Sequence, residues 1–198
     1  MKEMEYTAPS RAEINDRVRL GLDRRDELWE GVYHVVPVPN GEHQFVATRL
    51  AKMLDAQAVR RRLGEIRWEQ GIKDQSRLGR DYRVPEWIFL RRRAARWGED
   101  GYVEGEADAV CEVLSPHDDT WKKKPFYERM GVKELLVVDP KPRRVWLFQL
   151  VDGRYVEAPP KRGWVTSAAL KASFRTGRRK GKPALLVRLD LEKHVVAI

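Results

Sequence analysis

The sequence lacks the features of a disulfide-bonded, membrane-spanning or repetitive protein. Its one cysteine, Cys111, excludes an internal disulfide and a cysteine-rich zinc site. No stretch approaches the roughly 18 apolar residues that a membrane span requires, and residues 1–11 lack the apolar segment of a secretory signal. The sequence contains no internal repeat and no low-complexity tract. We therefore expect a cytoplasmic protein with no membrane partner and no disulfide partner.

Positive charge is what the sequence has in excess. Lysine and arginine number 39 against 30 aspartates and glutamates, a formal net charge of +9. Hydrophobic residues at 42% and charged residues at 35% are typical of a folded chain. The length of 198 residues predicts a single domain over residues 1–198. The basic excess favours an anionic partner, most often nucleic acid, although an ordinary basic surface is the alternative.

Hydrophobic periodicity predicts a mixture of helices and strands. Ser10 and Glu13 form a capping box, which predicts a short helix at 11–21. The other predicted elements are strands at 31–38, 65–73, 84–90, 107–115 and 133–139, helices at 42–62 and 119–130, and a hairpin around Asp152-Gly153. Residues 1–20 are expected to form a helical arm and residues 158–198 a basic C-terminal extension of the same domain. This order predicts a mixed α/β fold of the α+β kind.

Glu112 lies in the middle of ADAVCEVLS (107–115), the clearest buried strand of the sequence. A carboxylate in such a strand is costly unless it is paired or bound to a metal. Asp108 shares the face of Glu112, but at about 3.3 Å per residue it stands roughly 13 Å away, too far to share an ion. The co-ligand must therefore come from a neighbouring strand, and Glu86 is the candidate. A structural ion pair of Glu112 with a lysine or arginine is the alternative.

Two carboxylates and a lysine suit metal-assisted hydrolysis of a phosphodiester. The carboxylates can hold Mg²⁺, which activates water and neutralises charge in the transition state. Lys122, Lys123 and Lys124 follow the 107–115 strand closely, and one of them can contact the scissile phosphate or orient the water.

Three longer motifs occur in order between about residues 20 and 170: ELWEGVYHVVPVPNGEHQ, RVPEWIFL and ADAVCEVLSPHDDTWKKKPFYERMGVKELLVVDP. Together they resemble the Uma-two family of restriction-endonuclease-like proteins, within the PD-(D/E)XK nuclease superfamily. EVLSP, the tyrosine-to-glycine spacing in FYERMGVKE, and VVDP are the most specific parts. The resemblance implies a central mixed sheet flanked by helices, with a C-terminal hairpin. It also implies DNA cleavage with Mg²⁺ or Mn²⁺ as cofactor, and a homodimer for cutting both strands.

The resemblance also implies roles for individual residues. Glu86 stands where the family has an aspartate as first metal carboxylate, and Glu112 matches the second. The lysine that the superfamily carries on this strand falls at Leu114. In the family its substitute lies four residues before the tyrosine, which is Lys123 before Tyr127 here.

Four more residues are candidates for supporting roles. Glu27 and Glu30 match acidic family positions before the first strand, and Glu27 is expected to assist catalysis. His43 matches the histidine that opens the next helix, but a histidine there is more often a hydrogen-bonding group of the helix terminus than a metal ligand. Asp108 is more often a strand-start residue or a support for a ligand than a ligand itself.

Two departures from the family pattern affect these expectations. Glu86 is one methylene longer than aspartate, and Mg²⁺ tolerates poor geometry badly, so activity could be weakened, shifted towards Mn²⁺ or lost. Pro125 disfavours a helix interior. A helix that begins near Lys124 would leave Lys123 in the preceding loop. Lys122 or Lys124 would then be the lysine that contacts the phosphate or the water.

The remaining candidates are basic, aromatic and sulfur side chains. A basic cluster can contact phosphates or be solvated, and comprises Arg175, Arg178, Arg179, Lys180 and Lys182. Trp68, Trp87 and Trp146 are predicted to be core residues. Cys111 alternates away from Glu112 and is predicted to pack in the core.

The function predicted from these observations is a Mg²⁺- or Mn²⁺-dependent endonuclease that hydrolyses DNA. The alternative is a catalytically inactive protein with the nuclease fold that binds nucleic acid or a protein partner.

Overall fold

The computed structural model describes residues 9–76, 81–91, 97–115, 119–190 and 195–198. Parts of the polar loop after residue 73 and of the charged connection after residue 91 lie outside these ranges. The helices of the described residues are α1 (Arg11–Arg19), α2 (Gly41–Arg60) and α3 (Thr120–Arg129). The strands are β1 (Glu27–Trp29), β2 (Val32–His34), β3 (Gly64–Trp68), β4 (Ile72–Lys73), β5 (Tyr82–Arg83), β6 (Trp87–Arg91), β7 (Val103–Glu104), β8 (Ala109–Val113), β9 (Glu134–Asp139), β10 (Arg144–Val151), β11 (Arg154–Glu157), β12 (Val165–Ser167), β13 (Ala172–Arg179), β14 (Lys182–Leu189) and β15 (Val195–Ala197).

A six-stranded mixed sheet forms the centre, in the order β11-β10-β9-β8-β6-β3. Strands β8 and β9 are parallel, and α3 lies between them in the chain. The other pairs are antiparallel, and β10 and β11 form the hairpin predicted around Asp152-Gly153. The expectation of a central mixed sheet with helices and a hairpin is therefore confirmed.

The two faces of β8 belong to different buried clusters. Cys111 and Val113 pack in the cluster that contains the apolar side of α2, while Val110 packs with Phe126 and Tyr127 of α3. Alternation along a strand explains this division. Cys111 is fully buried, as predicted, and Glu112 must lie on the α3 side.

A smaller five-stranded sheet, in the order β2-β1-β5-β4-β7, carries the N-terminal part of the chain. Before it, α1 begins at the predicted capping box of Ser10 and Glu13, and none of its residues is buried. Arg17 of α1 forms a salt bridge with Asp26, just before β1, with its Nε 2.6 Å from a carboxylate oxygen. The strand predicted at 31–38 is shorter, because β2 ends at His34 before the two prolines.

Strands β12 to β15 form a four-stranded antiparallel sheet. The sequence analysis assigned this region only as a basic extension. Its alternate residues, among them Phe174, Leu185 and Val187, belong to the same buried cluster as the apolar side of α2. This sheet therefore covers part of the central sheet. No helix of the described residues is long and apolar enough to cross a membrane.

The helix predicted at 119–130 is confirmed. Helix α3 begins at Thr120 and includes Pro125 in its interior, so the alternative of a late start near Lys124 is excluded. One sequence-based expectation is wrong. Trp68 is 50% exposed because β3 is an edge strand, whereas Trp87 on the neighbouring strand is buried as predicted and Trp146 is partly buried.

Candidate active site

Glu86 lies just before β6, near Glu112 of β8. The ladder between β6 and β8 ends at the pair Trp87 and Cys111. The backbone N–H of Glu86 donates to the carbonyl of Cys111 at 3.1 Å. Glu86 therefore lies beside Cys111, the chain neighbour of Glu112. Burial raises the pKa of Glu112, and the negative charge of the nearby Glu86 adds to that rise.

Lys123 lies between two buried carboxylates. Its Nζ is 2.9 Å from Oε1 of Glu27 and 3.1 Å from Oε1 of Glu112. The other two lysines of the triplet contact different groups. Lys122 pairs with Asp119 at the start of α3, and Nζ of Lys124 lies 3.8 Å from the ring centroid of Phe148. The geometry therefore selects Lys123 from the three candidates.

Glu27 is held rigidly on β1. Its Oε1 accepts a hydrogen bond from the backbone N–H of Val84 at 2.8 Å, and its Oε2 accepts one from Nε1 of Trp29 at 2.7 Å. With Lys123 also bound, both oxygens of this buried carboxylate are used. Glu27 is therefore placed to orient Lys123 through a fixed ion pair.

The environment of Glu112 disfavours its charged form. Burial raises the pKa of Glu112 to about 7, although Lys123 and the hydroxyl of Tyr127 act in the opposite direction. That hydroxyl donates to Oε1 of Glu112 at 2.6 Å. Although burial disfavours its charge, Lys123 has a pKa raised above the ordinary lysine value by Glu112 and Glu27. Lys123 therefore stays protonated while Glu112 titrates near neutral pH.

Glu86 is paired with an arginine from the N-terminal part of the chain. Nη2 of Arg25 is 2.7 Å from Oε1 of Glu86, and Nη1 is 3.2 Å from Glu69. Nε2 of His43 lies 3.4 Å from the same Glu86 oxygen and 2.7 Å from the carbonyl oxygen of Val113. His43 thus bridges the ends of β6 and β8.

Arg25 and Tyr127 are site residues that the sequence analysis did not assign. Tyr127 follows Lys123 by four residues, so the helical period places both on one face of α3. That spacing was visible in the sequence. Arg25 carried no comparable signal, because it lies in a charged run before β1 and is 61 residues from Glu86.

Some predicted residues lie outside this cluster. Asp108 accepts from the backbone N–H of Arg91 at 2.9 Å and pairs with Lys133 at 3.1 Å, which is a structural role at the start of β8. Glu30 lies in the turn between β1 and β2, and its backbone N–H donates to Asp81. Of the basic cluster, Arg178 and Arg179 are exposed near the end of the β13–β14 hairpin, with Lys180 in its turn.

The donor set of the site fits a hydrated divalent cation. Among the residues with described positions, no group of three or more His, Cys, Asp or Glu side chains is arranged to hold a metal ion. Mg²⁺ commonly binds one or two protein carboxylates and keeps several waters. The Glu86–Glu112 pair meets this requirement.

Comparisons with known proteins bear on the family and the fold. No curated protein matches the chain. A putative nuclease belonging to DUF820 from Anabaena variabilis ATCC 29413 has a similar structure, with a TM-score of 0.59 and 16% sequence identity over 73% of this chain and 82% of that chain. This likeness shows a shared fold. The model of the family Uma2, described as putative restriction endonuclease, matches residues 15–175, and the resemblance that the motifs indicated is confirmed. The chain therefore belongs to the Uma2 family of putative restriction endonucleases.

Proposed function

We propose that the protein is a metal-dependent endonuclease that hydrolyses phosphodiester bonds in DNA. The observation that carries this proposal is the buried contact of Lys123 on α3 with Glu112 on β8, at 3.1 Å, with Glu86 nearby just before β6. Two adjacent carboxylates and a buried lysine serve hydrolysis of a charged diester better than they serve stability, because burying such charges costs several kcal/mol per ion. Membership of the family supports a nuclease, and this site supplies the residues.

Each residue has a role in this proposal. Glu86 and Glu112 would hold Mg²⁺ or Mn²⁺, which supplies a Lewis acid and an activated water when it is bound. Lys123 would place its ammonium against the scissile phosphate and stabilise the developing negative charge. Glu27 acts as a positioning residue, since its contact with Lys123 orients that ammonium. Tyr127 fixes the carboxylate of Glu112 by its hydrogen bond.

The test is cleavage of supercoiled plasmid by the purified protein with Mg²⁺ or Mn²⁺. We expect nicking by wild type and a loss of at least about a hundredfold in Glu112→Ala, because metal ligands are essential to such chemistry. Glu65→Ala, which removes an exposed carboxylate on β3, is the matched control and should cleave as wild type does. Equal nicking by Glu112→Ala would refute the proposal.

One contact favours a second candidate, a nucleic-acid-binding protein without catalysis. Glu86 replaces the family aspartate, and Arg25 already neutralises it at 2.7 Å. A protein of this kind would bind DNA with a steep dependence on salt and show no metal-dependent nicking. Calorimetry with Mn²⁺ separates the two candidates, because only the nuclease requires an ion at Glu86 and Glu112.

A further inference from the structure

A groove of about 480 Å³ lies between the start of β10 and the sheet formed by β12 to β14. One carboxylate, Glu157, is among its lining residues. The groove is also lined by four arginines: Arg144, Arg162, Arg175 and Arg178. The charged residues of the lining therefore carry a net charge of +3, four arginines against one glutamate. Such a groove attracts anions.

The arginines of the groove are held in place without using up their charge. Arg144 stacks on Trp146 with 4.6 Å between its guanidinium carbon and the ring centroid, and Arg175 stacks on Trp164 at 4.8 Å. Stacking engages the face of a guanidinium and leaves its N–H edge free. Arg178 donates to the carbonyl oxygen of Gly181 at 2.7 Å through Nη2.

The arginines of the groove differ from the cations of the candidate active site in their ion pairs with carboxylates. Within the described residues, none of the four arginines of the groove forms an ion pair with a carboxylate, whereas Arg25 and Lys123 are each bound to two. A cluster of like charges with a net excess of +3 costs stability through mutual repulsion. That cost is offset when an anionic ligand binds, which indicates a binding surface.

We propose that this arginine groove binds the phosphodiester backbone of a nucleic acid at phosphates other than the one that is cleaved. Free guanidinium edges form bidentate hydrogen bonds with phosphate oxygens. The groove also adjoins the helix of the active site, because the ring of Trp146 contacts that of Trp121 on α3 at 5.2 Å between centroids. The inference rests on the proposed function for the identity of the ligand, but not for any chemical step.

The sequence analysis predicted only part of this surface. Arg175 and Arg178 belong to the basic cluster for which the sequence leaves phosphate contact and solvation as alternatives, and both line the groove. Arg144 and Arg162 come from distant positions in the chain, and only the packing of the C-terminal sheet against β10 brings them there.

The test is binding of fluorescein-labelled DNA of about 20 base pairs, and of the single strand, measured by anisotropy in EDTA at about 50 to 200 mM KCl. The test variant is Arg144→Gln/Arg175→Gln. The matched control is Arg19→Gln/Lys52→Gln, which removes the same charge from exposed positions on α1 and α2. Arg162→Gln is a second test, since the exposed Arg162 has no stacking partner among the described residues and its loss should leave folding intact.

We expect the double groove variant to bind at least about tenfold more weakly at about 100 mM salt, and the control to bind as wild type does. Loss of two phosphate contacts should reduce the slope of log K against log salt by about 1.8 with duplex, or about 1.4 with single strand. The probe that shows the change identifies the form that binds. Arg162→Gln should reduce the slope by about half as much.

The inference is overturned if the groove variants and the control change the slope equally. It is also overturned if polyglutamate competes as well as DNA at matched charge, because the groove would then recognise acidic chains in general. Its failure is distinguishable from that of the nuclease proposal. Binding without EDTA-sensitive nicking would refute only the nuclease, whereas nicking with an unchanged slope in the groove variants would refute only the groove.

Discussion

Replacing Lys123 by methionine tests the electrostatics of the candidate active site. The substitution keeps an unbranched apolar stem and removes a charge that contacts Glu27 at 2.9 Å and Glu112 at 3.1 Å. The side chains of the two glutamates are only 1% and 4% exposed, so water cannot replace the ammonium fully. Removal of one partner from a buried ion pair costs about 3–5 kcal/mol.

The loss should depend on pH because Glu112 titrates. Its pKa in the folded protein, about 7, lies above the ordinary value of 4.5, so the folded state binds the proton more tightly and stability falls as pH rises from 4.5 to about 7. Lys123 limits that fall by lowering the pKa of Glu112. In Lys123→Met the pKa of Glu112 should be higher than in the wild type. The free energy of unfolding should then keep falling above pH 7, by up to about 1.4 kcal/mol per pH unit.

Urea denaturation at about pH 5.5, 7 and 8.5 measures this difference in the free energy of unfolding. We expect a loss of about 2 kcal/mol at the lowest pH, where only the contact with Glu27 is missing, and about 4 kcal/mol at the highest. Lys122→Met is the matched control, since Lys122 is exposed and pairs only with Asp119, and it should change stability by less than about 0.5 kcal/mol. A loss in Lys123→Met that does not vary with pH would refute the reasoning.

Two further predictions concern the groups around the carboxylate pair. Arg25→Gln should tighten Mn²⁺ binding about tenfold in calorimetry, because Arg25 competes with the ion for Glu86, and unchanged or weaker binding would argue against competition. Tyr127→Phe removes a hydrogen bond that lowers the pKa of Glu112, so that pKa should rise above about 7. The pH midpoint of Mn²⁺ binding should then move upward and stability should fall by about 1–2 kcal/mol, whereas a midpoint that moves down would contradict the role given to Tyr127.

Several residues of the candidate active site could be predicted from the sequence, because the patterns that indicate them lie within short segments of the chain. Glu112 was recognisable as a carboxylate inside an apolar strand, and alternation alone placed Cys111 on the opposite face. The choice of Glu86 as partner followed from the next apolar strand and from the family motif. Lys123 is the lysine that the family spacing indicates, but Pro125 leaves Lys122 and Lys124 open as alternatives, because proline disfavours a helix interior and α3 nevertheless contains it.

Other assignments depended on neighbours that the sequence does not place. The burial of Trp87 and the exposure of Trp68 differ because β6 is central and β3 is at the edge of the sheet. Its charge predicts only that the C-terminal extension is basic. Its alternate apolar residues join the main buried cluster only because β12 to β14 fold back over the central sheet.

By itself the sequence determined the mixed fold and the family motifs, since these follow from periodicity and from residues close together in the chain, and it predicted the pair Glu86 and Glu112. Only the tertiary structure decided which lysine lies between Glu27 and Glu112, and that Arg25 neutralises Glu86. It also decided that unpaired arginines gather in one groove. The physical reason is that contacts between residues far apart in the chain depend on strand register and on the packing of whole elements, which local pattern does not encode.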